Sequence, residues 1–237
     1  MKQIKTFWNW FQNNEEAIKN ALLLGINTEE VLIQLEKKSK SISKRIGFLI
    51  DDSMSKKGKY TIIFTSMGYR KLFPKLIELE KQAPSLKYFT PQAFIKPFTD
   101  TTPYKNGTDL PCIYKTCEIK ISELQLALLD YDSYTKQLKI LVYLPYYQDI
   151  INNEDLEINI DFVVMQIIGE IAFRKHLKQI LLAPLPQSTS GLLSIIELPD
   201  YIEYLYKINS RGKNETSLDE ITSNNVNPYR DYFVNTT

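Results

Sequence analysis

Apolar residues recur at helical spacing over 6–24, where Phe7, Trp10, Phe11, Ala17, Ile18, Ala21 and Leu22 fall near one face and Gly25 marks a stop. Thr6 is placed to cap this helix. "NTEE" opens a second helix, with Thr28 as its cap and Glu29 and Glu30 set against the positive end of the helix dipole. The period then shortens. "RIGFLID" and "YTIIFTS" are brief apolar runs on either side of the polar "DSMSKKGK", the pattern of a hairpin with a long turn. "MGYRKLFPKLIELEKQAP" returns to helical spacing, and Pro74 confines it to a start close to that residue.

Residues 85–111 carry spaced prolines and the turn-forming "TDTTPYKNGTDLP", which predicts an exposed loop. "IYKTCEIKI" alternates as a strand, and "ELQLALLDYD" with "QLKILVYLPYY" predicts a hairpin turning at "DSYTK". Residues 154–175 predict the strongest helix, acidic at its start and basic at its end. A strand in "HLKQILLAPLP" and a helix over about 198–208 follow. No internal repeat is visible. Strand runs with intervening helices, rather than strict alternation, predict an α+β fold: a mainly antiparallel sheet, helices packed on one face, and two N-terminal helices. Residues 1–209 read as a single domain and 210–237 as a polar tail, flexible or docked.

Composition narrows the function classes. The chain has 237 residues and a net charge of +1, which gives no global drive toward nucleic acid or anionic lipid. Cys112 and Cys117 stand four residues apart with no second pair, and His176 is the one histidine, so a four-ligand zinc site is not supplied. No metal or other cofactor is expected. Two thiols suit a reducing compartment, with a single bridge left open. No stretch approaches the ~20 apolar residues of a membrane span, and the opening residues lack a signal-peptide pattern. The expected location is the cytoplasm.

Several stretches are candidate sites. In "FWNWF", Phe7, Trp10 and Phe11 share a helix side, while Trp8 is turned about 100° from Phe7. The cluster reads as core packing; Trp8, as the most exposed ring, is the alternative platform for a partner, together with Tyr146 and Tyr147. "FTSMG" places Ser66 and Gly68 where a strand meets a helix, a setting for capping or for an anion. The nucleophile-elbow pattern fails there, because position 64 is Phe rather than Gly. Gln166, Glu170 and Arg174 fall four apart on one helical stripe, either a solvated face, a structural pair or a cleft carboxylate. His176 reads as a helix-end residue. The basic run from Lys37 to Arg45 suits a helix C-terminus better than a nucleic-acid footprint.

The order of "FWNWFQNNEE", "IIFTSMGYRKLFPKLIELEKQAP", "FTPQAFIKPF" and "IIGEIAF" resembles a bacterial family of uncharacterised cytoplasmic proteins. The resemblance implies an α+β domain and transfers no catalytic residue. No convergent acid, base, nucleophile or metal set appears, so the expected role is non-enzymatic: binding an unknown protein or small molecule, as an immunity or adaptor-like protein does. The competing reading is a hydrolase-like enzyme using Glu170 with Ser66 or His176. This charge balance argues against nucleic acid as a partner, and no membrane partner is expected.

Overall fold

A computed structural model describes residues 2–51, 58–114, 117–152 and 154–211. The fold is α+β with mainly antiparallel sheets. Its contacts group into two compact units, 1–95 and 96–237, within the span read from sequence as one domain plus tail.

The first unit opens with α1 (Lys2–Leu24) and α2 (Thr28–Ile42), followed by β1 (Gly47–Asp51) and β2 (Tyr60–Thr65). A 3-10 turn at Arg70–Leu72 leads into α3 (Phe73–Lys81), with Pro74 in its first turn, and then β3 (Phe89–Ala93). β1 and β2 are antiparallel, and β3 lies parallel to β2, giving the order β1-β2-β3. β3 falls in the proline-spaced stretch ahead of the expected loop, to which the sequence assigns no element. Pro91 hides it in sequence, yet a proline fits here because β3 is an edge strand with one partner.

The aromatic cluster is core, as its composition suggests, but the helix is rotated from the expected face. The buried seam of α1 runs Ile4, Phe7, Trp8, Phe11, Glu15, Ile18 and Ala21. Trp8 is only 2% exposed, which removes it as a partner platform; Trp10 and Ala17 lie outside the seam. The helix extends back to Lys2, so it includes Ile4, which lies one turn before Trp8 on the buried side. Phe7 and Trp8 meet Phe64 edge-on at 5.6 and 5.7 Å, and Phe11 meets Phe89 at 5.4 Å. The indole N–H of Trp8 donates to the Leu79 carbonyl at 2.8 Å, so its polar atom is satisfied.

Glu15 interrupts that apolar seam for a reason. Its carboxylate accepts backbone N–H groups of Lys87, Tyr88 and Phe89 at 3.1, 2.5 and 3.2 Å. These donors precede or begin β3, so one buried charge ties the first helix to the last strand of its sheet. The expected caps differ. Thr6 lies inside α1 and donates to the Lys2 carbonyl at 3.0 Å, while Thr28 donates to the Ala21 carbonyl at 2.8 Å. Asn27 takes the start of α2 with φ 52° and makes no side-chain cap.

The second unit begins with α4 (Thr102–Lys105), then the short antiparallel pair β4 (Cys112–Tyr114) and β5 (Cys117–Ile119). The expected single strand across "IYKTCEIKI" is therefore two strands. A 3-10 turn at Ile121–Glu123 leads to β6 (Gln125–Asp132) and β7 (Gln137–Leu144), a hairpin as expected. α5 (Tyr147–Ile150), α6 (Leu156–Ile168) and α7 (Glu170–His176) then carry the chain to β8 (Leu177–Pro184), which lies parallel to β7. β9 (Leu193–Ser194) pairs with β6, and α8 (Leu198–Arg211) closes the described chain. Residues 212–237, most of the expected tail, lie outside the described residues.

The helix expected over 154–175 breaks at Gly169, whose φ 83° and ψ 146° suit glycine alone. The units also share a route that the sequence conceals: a hairpin, a helical crossover, and a third strand parallel to the hairpin's second strand. Replacing Glu15 by Ala leaves three backbone donors of a partly buried segment without this acceptor. It is expected to lower stability by about 2–4 kcal/mol, read as a reduced urea midpoint with an unchanged slope.

Candidate binding pocket

β5, the 3-10 turn after it and the end of β7 enclose a hollow of about 270 Å³ in the second unit. Pro111, Ile119, Leu124, Leu144, Pro145 and Ile150 give it an apolar lining. Glu118, Lys120 and Glu123 add charge, with the Lys120 ammonium 3.7 Å from the Glu123 carboxylate. Ile119, Leu124 and Leu144 belong to the buried core, so the floor is fixed by packing. Asp109 steadies the 3-10 turn by accepting the Ser122 N–H at 3.1 Å.

Tyr146 stands at this hollow and is 76% exposed. It heads α5 in the left-handed region, with φ 56° and ψ 25°. A bulky residue there carries a strain of about 1–2 kcal/mol, and Asp149 N–H donating to the Tyr146 carbonyl at 3.0 Å holds the turn in place. Tyr147, the other expected surface ring, packs partly buried against the core instead.

The remaining sequence candidates are dispersed. Ser66 and Gly68 belong to the first unit; both are buried. Ser66 does not cap the helix ahead: its carbonyl accepts the Tyr69 N–H at 3.1 Å across Met67 and Gly68, both left-handed at φ 49° and 76°. Gln166 is on α6 and half-buried, Glu170 opens α7 with 0% exposure, and Arg174 is exposed. The break at Gly169 therefore divides the expected stripe. His176 ends α7 six residues after Glu170, a rise of about 9 Å, so the two do not form an acid–base pair. Burial, then Lys175, lowers the His176 pKa, and its ring lies edge-on to Tyr206 at 6.5 Å.

Other reactive groups are equally subdued. Cys112 is a free thiol, and burial followed by Asp109 raises its pKa, the opposite of nucleophile activation. In the Lys37–Arg45 run, Lys40 pairs with Glu36, and Lys38 and Arg45 lie over the rings of Trp10 and Tyr69. Among the described residues, no cluster of three or more His, Cys, Asp or Glu side chains could hold a metal ion, and no helix is long and apolar enough to cross a membrane.

A second, smaller hollow of about 140 Å³ was not foreseen from sequence. Glu157 and Asp161 of α6 line it with Ile180 and Leu182 of β8. Glu157 reads in sequence as a helix-dipole residue; the parallel crossover is what brings β8 beside it. Burial, then the Glu157 charge, raises the pKa of Asp161 to about 6.

No protein-family model, curated protein or solved structure matches the chain.

Since the folded pKa of Asp161 lies above its ordinary value, the folded chain keeps a proton that the unfolded chain has already lost. Stability falls as pH rises from about 4 through about 6. Asp161→Asn is expected to stabilise the protein at neutral pH by about 1 kcal/mol after allowance for solvent screening. Urea unfolding across this pH range checks it: the gain shrinks toward pH ~4.

Proposed function

We propose that this is a binding protein rather than an enzyme, one that seats an apolar or aromatic group of a protein or small-molecule partner in the hollow beside Tyr146. An adaptor or immunity-like role in a bacterial cytoplasm fits this reading. The observation that carries it is Tyr146 itself. A large ring is held outward at the mouth of an apolar recess, in a backbone conformation that disfavours it. Backbone strain of this kind clusters at ligand-binding and active sites. The recess is slightly smaller than a drug-sized ligand site, which suits one inserted side chain or a small ring.

The hydrolase alternative has weaker support. Glu170 and His176 sit at opposite ends of one short helix, and burial holds Cys112 as a thiol.

Anilinonaphthalene sulfonate is a suitable probe, pairing an aromatic body with a negative charge that Lys120 can face. The folded protein is expected to bind it saturably. Tyr146→Gly should weaken binding about tenfold while leaving the melting temperature unchanged or higher, because glycine accepts the left-handed conformation freely. Undiminished dye binding by Tyr146→Gly would contradict the proposal.

A further inference from the structure

β8 is an edge strand. It pairs with β7 on one side, and among the described residues nothing pairs with the other. Lys178 at its start and Pro184 at its end blunt the edge, as charged residues and prolines do elsewhere. Between them, Gln179–Ala183 is uncharged, and Leu181 is 42% exposed. Alternate backbone groups of this stretch face away from β7 and remain available to another strand.

The side-chain register gives this edge a preference. Ile180 and Leu182 align with Ile140 and Val142 of β7, whose side chains enter the core. The same two β8 residues form the hollow with Glu157 and Asp161. A strand added to β8 would turn every second side chain to this face, and the one beside Ile180 and Leu182 would meet the two carboxylates. Neither carboxylate has an ion-pair or hydrogen-bond partner among the described residues. The closest cation on the strand, Lys178, is directed to Asp132 at 3.6 Å.

We propose that the free edge of β8 takes an extended segment of a partner protein, and that a lysine or arginine of this segment places its cation in the Glu157–Asp161 hollow. Backbone hydrogen bonds supply the pairing, and the two carboxylates select the basic residue. Asp161 resists ionisation in the free protein because it is half-buried beside a like charge; an incoming cation removes that conflict. A second copy of the chain is a poorer occupant. Two β8 strands paired antiparallel would bring both sets of Glu157 and Asp161 to one seam, where like charges repel.

The test uses a short capped peptide of alternating valine and threonine with one central lysine, labelled for fluorescence anisotropy. Wild-type protein is expected to bind it, and exchanging the lysine for glutamate should weaken binding at least about tenfold. N-methylation of the peptide backbone should weaken it similarly, since it removes strand pairing and leaves the charge. Glu157→Gln combined with Asp161→Asn should cost about tenfold for the lysine peptide with the thermal melt unchanged or higher. Equal binding of the lysine and glutamate peptides, equal binding after N-methylation, or no binding at millimolar concentration would overturn the proposal. So would a dimer, seen by sedimentation, that excludes the peptide.

Discussion

A strand buried in the middle of a sheet must satisfy backbone groups along both edges, and that requirement organises both units. Besides β6, which β9 borders over two residues, β2 and β7 are the strands that meet it. Each has its hairpin partner antiparallel on one side and a later strand parallel on the other. The antiparallel neighbour needs only a turn; the parallel one needs a crossover, supplied by α3 in one unit and by α5 to α7 in the other. Burial follows from this arrangement. Ile62 and Phe64 of β2, and Ile140 and Val142 of β7, are fully enclosed. The outer strands carry the prolines that a central strand could not accept: Pro91 in β3 and Pro184 at the end of β8.

Three departures from a simple apolar pattern mark positions where another demand outweighs local preference. Glu15 occupies a core position because backbone donors of the β3 approach surround its carboxylate. Burying that charge without those bonds would cost several kcal/mol. Gly169 turns the chain between α6 and α7 in a conformation that other residues resist. Tyr146 is different in kind: its ring is mostly in solvent, so packing does not repay its left-handed backbone. Strain without compensating burial is the physical reason to associate it with binding.

Much of the element content was legible from residues. The first two helices, the β1–β2 and β6–β7 hairpins and the helix near Leu198 all follow from periodicity and turn residues. The errors have distinct causes. Trp8 and Trp10 flank the apolar stripe of α1 on opposite sides, and Ile4, one turn before Trp8, extends the buried seam to the Trp8 side. Pro91 conceals β3, since proline argues against a strand unless its position in the sheet is known. The "QIIGEIAF" run keeps helical spacing across Gly169, so its backbone break leaves no trace in the hydrophobic pattern. Tyr146 was identifiable as a surface aromatic, but its hollow was not, because the lining comes from β5, a 3-10 turn and the end of β7. Glu157 and Asp161 gained significance only when the crossover set β8 beside them.

Amide hydrogen exchange of the free, full-length protein, resolved residue by residue, tests the strand arrangement most directly. The account predicts that amides within β2 and β7 exchange slowest, through global unfolding, whereas the outward-facing alternate amides of Gln179–Ala183 exchange rapidly. Protection along all of Gln179–Ala183 equal to that of β7 would mean the edge is covered and would contradict it.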